Sequence, residues 1–116
     1  MNPEELRSRT KKFALRVIAL YRALPHRGEA QVVGNQLLRS GTAVAANYRS
    51  ACRARSRAEF VARVAIVEEE ADESAFWLEL LGDSATVKPK RLAPLLDEAG
   101  ELTAIFTATR QTAKRS

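Results

Sequence analysis

The chain has 116 residues, and its 19 lysines and arginines against 14 aspartates and glutamates give it a formal charge of +5. That length fits one domain, residues 1–116, and leaves no room for two. Aromatic residues make up only 6%, with 5 glycines, 4 prolines and a single cysteine. This composition excludes collagen-like, disulfide-scaffold and low-complexity chains, and it points to helices.

No apolar run approaches the roughly 20 residues that a membrane span needs. The segment Met1–Lys12 is charged and has no apolar core, so it does not resemble a secretory signal. The lone Cys52 excludes an internal disulfide and fits a reducing compartment. We therefore expect a cytoplasmic protein with no membrane partner.

The positive charge is concentrated in the first half of the chain. Residues 1–67 hold 13 basic and 4 acidic side chains, a net charge of +9, whereas residues 68–116 hold 6 basic and 10 acidic ones, a net charge of −4. Such asymmetry indicates either a polyanionic partner for the basic half or charge pairing between subunits.

Apolar spacing predicts a first helix over about 3–24, with Asn2 as its N-cap. A second helix is predicted over about 29–53 and is rich in small residues, among them Gly34 and Gly41. Because each glycine costs a helix roughly 1 kcal/mol relative to alanine, we expect a neighbouring backbone to approach closely, within the fold or across subunits. The alternative is a kink or break near Gly41.

A capping box of Ser56 and Glu59 opens a third predicted helix over about 57–81, and Gly82 is expected to terminate it. Its apolar positions follow a 4-3-4-3-4-3 spacing, which is typical of a bundle seam. These positions are Phe60, Val64, Val67, Ala71, Ser74, Leu78 and Leu81. A fourth helix is predicted over about 89–111. Four amphipathic helices with short connections favour an all-α, antiparallel up-down-up-down four-helix bundle.

No catalytic or metal-binding arrangement emerges from the sequence. His26 is the only histidine and lies in a predicted turn, and Cys52 has no positioned base. The acidic run 68–73 lacks the Glu-x-x-His pattern of di-iron bundles. We expect a protein that is not an enzyme and has no cofactor and no metal, with these acids either solvated or paired with arginines.

Arginines cluster around the junction of the second and third helices, where five fall within residues 49–63. The guanidinium group binds phosphate bidentately, but it also suits carboxylates. Aromatic residues do not alternate with these charges, so a base-stacking platform is not expected. Any binding of nucleic acid would be driven by backbone phosphates and would be strongly salt-dependent.

Several segments in a fixed order carry a resemblance to a known family. They are Asn35-Gln36-Leu37-Leu38-Arg39-Ser40-Gly41-Thr42, Ala46-Asn47-Tyr48-Arg49, Arg53-Ala54-Arg55-Ser56-Arg57-Ala58-Glu59-Phe60, Glu69-Glu70-Ala71-Asp72-Glu73 and Phe76-Trp77-Leu78-Glu79-Leu80-Leu81. Over about residues 10–110 the chain resembles the bacterial four-helix bundle proteins encoded in intervening sequences of 23S rRNA genes. One relative of that family is the accessory protein of diversity-generating retroelements.

The resemblance implies a ring-shaped homopentamer with a basic face or channel and no established enzymatic activity. It also implies RNA or DNA as a partner, and a reverse transcriptase as a possible protein partner. By this analogy five residues would face the polyanion: Arg39, Arg49, Arg53, Arg55 and Arg57.

Two hypotheses follow from the sequence. In the first, the chain is a non-enzymatic oligomeric protein that binds nucleic acid through its Arg-rich surface. In the second, it is an interaction scaffold or accessory subunit whose arginines pair with acidic residues of neighbouring subunits or of a partner. The accessibility of Arg49, Arg53, Arg55 and Arg57 distinguishes the two.

Overall fold

The computed structural model describes residues 1–116 and contains four helices and no strand. Helix α1 spans Pro3–Ala23, α2 spans Gly28–Ala51, α3 spans Arg57–Asp83 and α4 spans Pro89–Arg115. α2 packs against both α1 and α3, α4 packs against α3, and α1 touches α4 only slightly. The prediction of an all-α chain whose consecutive helices pack side by side is therefore confirmed. None of the four helices combines the length and apolar character that crossing a membrane requires.

The start of α1 and the course of α2 can be compared with the sequence prediction. The Asn2 side chain accepts a hydrogen bond from the Glu5 amide at 2.8 Å, which confirms its role as the N-cap of α1. α2 runs without a break through Gly41, so the alternative of a break there is wrong. It ends at Ala51, two residues before the expected end.

Both ends of α3 differ from the expected pattern. The Ser56 hydroxyl accepts from the Glu59 amide at 3.1 Å, but the Glu59 carboxylate accepts from the amide of Arg55 at 2.8 Å. At the other end Gly82 lies within the helix, and Ala85 adopts the left-handed conformation with φ of 61°. The amides of residues 86 and 87 then bond to the Leu81 carbonyl, which closes the turn without a glycine.

α4 tolerates Pro94 within its second turn and continues to Arg115, beyond the expected end near residue 111. The hydroxyls of Thr103, Thr107 and Thr109 each donate to the carbonyl four residues earlier, so these polar side chains are satisfied within the helix. Arg110 also bonds to Glu68 of α3 at 2.6 Å, which ties the last turns to the bundle.

The core follows the predicted seam of α3. All of its stripe is buried except Phe60, which is half-buried. Between α2 and α3 the hydroxyls of Ser40 and Ser74 lie 2.8 Å apart, and both residues are fully buried. Such small side chains allow the two helices to lie close together.

The small residues of α2 also allow α1 to pack closely against it. A Cβ atom built on Gly41 would lie 2.8 Å and 2.9 Å from the two Cγ atoms of Val17, and one built on Gly34 would lie 2.9 Å from Leu24 Cδ1. The close approach that the glycines predicted is therefore made within the subunit, between α1 and α2. This contact sets the register in which the two helices carry their charges.

Candidate nucleic-acid interface

Antiparallel packing brings basic residues from distant parts of the chain to one end of the bundle. α1 and α3 begin at this end, and α2 and α4 finish there. The connection between α2 and α3, residues 52–56, crosses the same end. The side chains of Arg7 on α1 and Arg53 beyond α2 thus come to one surface although they are far apart in sequence.

A groove of about 840 Å³ lies between α1 and α2 at this end. We call it the basic groove, and its lining residues are Arg7, Ser8, Lys11, Thr42, Ala45, Ala46, Arg49, Cys52 and Arg53. Its four cations, Arg7, Lys11, Arg49 and Arg53, are all exposed. No carboxylate belongs to its lining.

The four groove cations have no carboxylate within 4.0 Å, whereas other arginines of the chain are paired. Arg9 forms a bidentate contact with Glu98 at 2.7 Å and reaches Glu101 at 3.0 Å. Arg39 binds Glu70 at 3.0 Å and also contacts Glu73. The basic groove therefore holds four cations that form no ion pair within the subunit.

Pairing with arginine lowers the pKa of some of the carboxylates involved. A hydrogen bond from Arg9 holds the pKa of Glu98 below its ordinary range, and one from Arg110 does the same for the pKa of Glu68. For Glu73 the pKa is lowered first by the Trp77 indole N–H and then by Arg39. These carboxylates are fixed as anions and serve to hold helices together.

The sequence-predicted binding residues fall into three places. Arg49 and Arg53 line the basic groove, while Arg55 lies in the α2–α3 connection and Arg57 begins α3, both exposed and without a carboxylate partner. Arg39 lies apart from them, ten residues or about 15 Å before Arg49 along α2, and its guanidinium is held by α3. The structure brings four of the five to one end of the bundle.

Sequence reasoning counted Arg7 and Lys11 as basic but did not place them in the site. Both residues line the basic groove opposite the end of α2. The signal that could have found them is their spacing of four residues, which puts them on one face of α1.

Cys52 follows α2 and is half-buried at the edge of the basic groove. Beside it Tyr48 is almost completely buried, and burial together with the Cys52 thiol raises the pKa of this phenol. His26 is exposed, with its ring 5.2 Å from the ring of Tyr21. Nowhere do three or more histidine, cysteine or carboxylate side chains come together in a way that could hold a metal ion.

Comparison with known proteins gives two matches. The family model described as 23S rRNA-intervening sequence protein matches residues 5–108. A crystal structure of a protein of unknown function from the S23 ribosomal protein family of Bacteroides thetaiotaomicron VPI-5482 superimposes with a TM-score of 0.85, at 30% identity, over 90% of this chain and 97% of that one. No curated protein matches the chain. Neither match indicates an enzyme family.

Proposed function

We propose, from the premise that this chain belongs to the 23S rRNA-intervening sequence protein family, that it is a non-enzymatic, oligomeric protein that binds the phosphate backbone of RNA or DNA. The binding surface is the basic groove together with Arg55 and Arg57. The observation that carries the proposal is the absence of any carboxylate within 4.0 Å of the four groove cations, in a chain that pairs Arg9 and Arg39. We place its action in the cytoplasm, which suits the single free cysteine.

Phosphate is the ligand that this surface suits best. Three of the four groove cations are arginines, whose planar fork binds phosphate oxygens bidentately. The groove contains no aromatic residue on which a base could stack, and its floor includes Ala45 and Ala46. Contact is therefore expected with the backbone alone, so that binding is independent of base sequence and falls steeply with salt.

The test reverses charge inside and outside the groove. In fluorescence anisotropy with labelled RNA and DNA, Arg49→Glu with Arg53→Glu should weaken binding at least about tenfold, or roughly 1.4 kcal/mol. The matched control is Lys88→Glu with Lys90→Glu, which changes the net charge equally at the opposite end of the bundle, where both lysines are exposed. Equal loss in both variants would mean that only the total charge matters and would refute the site.

A folding control separates binding from structure. Arg49 lies in the last turn of α2, where a cation favours the helix C-terminus. The glutamine variants Arg49→Gln and Arg53→Gln remove the charge without reversing it and should weaken binding to a smaller degree. Circular dichroism and gel filtration of each variant should match the unmodified protein, which shows that lost binding is not lost folding.

Self-association belongs to the proposal, and we take its order of five, in a ring, from the family resemblance. Besides the terminal Met1, four large apolar side chains are exposed on the isolated subunit: Leu15 at 55%, Val32 at 64%, Ile66 at 39% and Phe76 at 49%. Exposed apolar groups of this size favour interfaces. Light scattering at micromolar concentration should give the mass of a pentamer, and a monomer would refute this part of the proposal.

An interaction scaffold is the second candidate. It is favoured by the acidic face of α3, where Glu70 and Glu73 hold Arg39 while Glu69 and Asp72 remain exposed. A neighbouring subunit or a protein partner with free arginines, such as a reverse transcriptase, would fit that face. Loss of assembly rather than of nucleic-acid binding on Arg53→Glu, Arg55→Glu and Arg57→Glu would support this candidate instead.

A further inference from the structure

The register of α1 against α2 can be continued into the basic groove. Val17 of α1 lies against Gly41, and Leu24, the residue that follows α1, lies against Gly34. Seven residues forward in the first segment therefore correspond to seven residues backward on α2. Continued the other way, Arg7 comes level with Ala51 and Lys11 with Asn47. Arg53 follows Ala51 by two residues, and Arg49 follows Asn47 by two residues. Each of the two α1 cations therefore has an arginine close to its level on the other wall.

Two cationic pairs result, Arg7 with Arg53 and Lys11 with Arg49, one from each wall of the groove. On the α1 wall the two cations are four residues apart, which is about 6 Å along a helix. On the other wall Arg53 follows the end of α2 in a turn, where its amide donates to the Ser50 carbonyl. The step along α1 is close to the separation of successive phosphates in one flexible nucleic-acid strand. A strand lying along the groove would present one phosphate to each pair.

We infer that the basic groove binds a single-stranded segment, RNA or DNA, with two successive phosphates held by the Arg7–Arg53 pair and the Lys11–Arg49 pair. The inference rests on the proposed function and narrows its ligand from nucleic acid in general to a single strand. Because the alanine floor and the lack of aromatic residues offer nothing to a base, the bases point away from the groove and are not read.

Size excludes a duplex from the same position. The basic groove lies between two neighbouring helices, whose axes pack about 8–10 Å apart, whereas the major groove of B-DNA alone is about 12 Å wide. A duplex can only lie across the rim, where it cannot bring one phosphate between the two cations of each pair. It therefore loses the contacts from at least one wall.

The experiment compares equal lengths of single-stranded RNA, single-stranded DNA, RNA duplex and DNA duplex of mixed sequence, titrated by anisotropy with the full chain. Both single strands should bind about tenfold more tightly than their duplexes. Arg7→Glu with Lys11→Glu should remove that preference and reduce the salt slope for a single strand by about 1.4, which is two phosphates at about 0.7 each. Lys88→Glu with Lys90→Glu should leave both quantities unchanged.

The charge-preserving variant Arg7→Lys with Lys11→Arg tests whether charge at these positions suffices. This variant should retain the preference for single strands. If the glutamate variant had lost the preference only because α1 was disrupted, a second pair of substitutions at the same positions would lose it as well. Duplexes that bind as tightly as single strands, or a groove variant that behaves like the control, would overturn this inference and leave the proposed function standing. Absence of binding to all four nucleic acids would overturn the proposed function itself.

Discussion

Gly41 offers a direct test of the contact that positions the two walls of the basic groove. It lies inside α2 with its Cα facing Val17, which is completely buried. The substitution Gly41→Ala would place a methyl group 2.8 Å and 2.9 Å from the Val17 Cγ atoms. Unstrained carbon contacts lie at about 3.5–4.0 Å, so the overlap is several tenths of an ångström or more.

The magnitude follows from two opposing effects. Glycine to alanine in a helix interior stabilises by about 1 kcal/mol, whereas overpacking a core costs about 1–3 kcal/mol. Val17 cannot relieve the overlap by rotating, because a β-branched side chain on a helix has one strongly preferred rotamer. We expect Gly41→Ala to be neutral or to destabilise by up to about 2 kcal/mol.

Gly100 provides the matched control. It lies inside α4, is exposed, and a Cβ atom there would meet nothing within 4 Å. Gly100→Ala should therefore stabilise by about 1 kcal/mol. The difference of about 1–3 kcal/mol between the two alanine variants corresponds to about 0.5–1.5 M in the urea midpoint for a slope near 2 kcal/mol/M.

The assay is urea unfolding at one fixed protein concentration, because the stability of an oligomer depends on concentration. Adding Val17→Ala to Gly41→Ala should give a double variant that is less destabilised than the two single effects predict, since the overlap is gone. If Gly41→Ala were as stabilising as Gly100→Ala, the close approach of α1 and α2, and with it the register of the groove, would be refuted.

Ala85 holds a left-handed φ of 61° in an exposed turn, so Ala85→Gly should raise the free energy of unfolding by about 0.5–1 kcal/mol in the same urea assay, and a decrease would contradict the turn described. The arginine partners lower the pKa of Glu68 and Glu98. The two ion pairs therefore stabilise the fold fully above the ordinary carboxylate pKa, and this stabilisation is lost as the pH falls through the lowered pKa values. Glu98→Gln should lower the free energy of unfolding by about 1 kcal/mol at neutral pH. It should also reduce the fall of the urea midpoint at acid pH. If that fall were unchanged, the Arg9–Glu98 pair would not contribute to stability.

Local patterns were enough to predict the helices. The 4-3 spacing from Phe60 to Leu81 reports directly which side of α3 is buried, because helical periodicity is a property of adjacent residues. Asn2 could be recognised as a cap for the same reason. Ala85 could not be foreseen, since the stop of α3 depends on the closing hydrogen bonds to the Leu81 carbonyl rather than on the nearby Gly82.

The site was predicted only in part because charge pairing depends on the packing of distant segments. Arg9 and Arg7 look equivalent in the sequence, yet Arg9 meets Glu98 of α4 while Arg7 lies in the groove. The family resemblance groups Arg39 with Arg49, although the two lie about 15 Å apart along α2. The pairing of cations across the groove is inferred from the register at Gly41, which depends on this packing and not on local sequence.

The most direct test of the central claim, that free cations of the basic groove bind nucleic-acid phosphates, is the affinity of the unmodified protein for a labelled single strand across a salt series. The account predicts binding at about 50 mM salt that weakens steeply towards about 200 mM, with a slope that falls when Arg49 and Arg53 are replaced by glutamine. No binding at about 50 mM salt, where phosphate contacts are strongest, would contradict it.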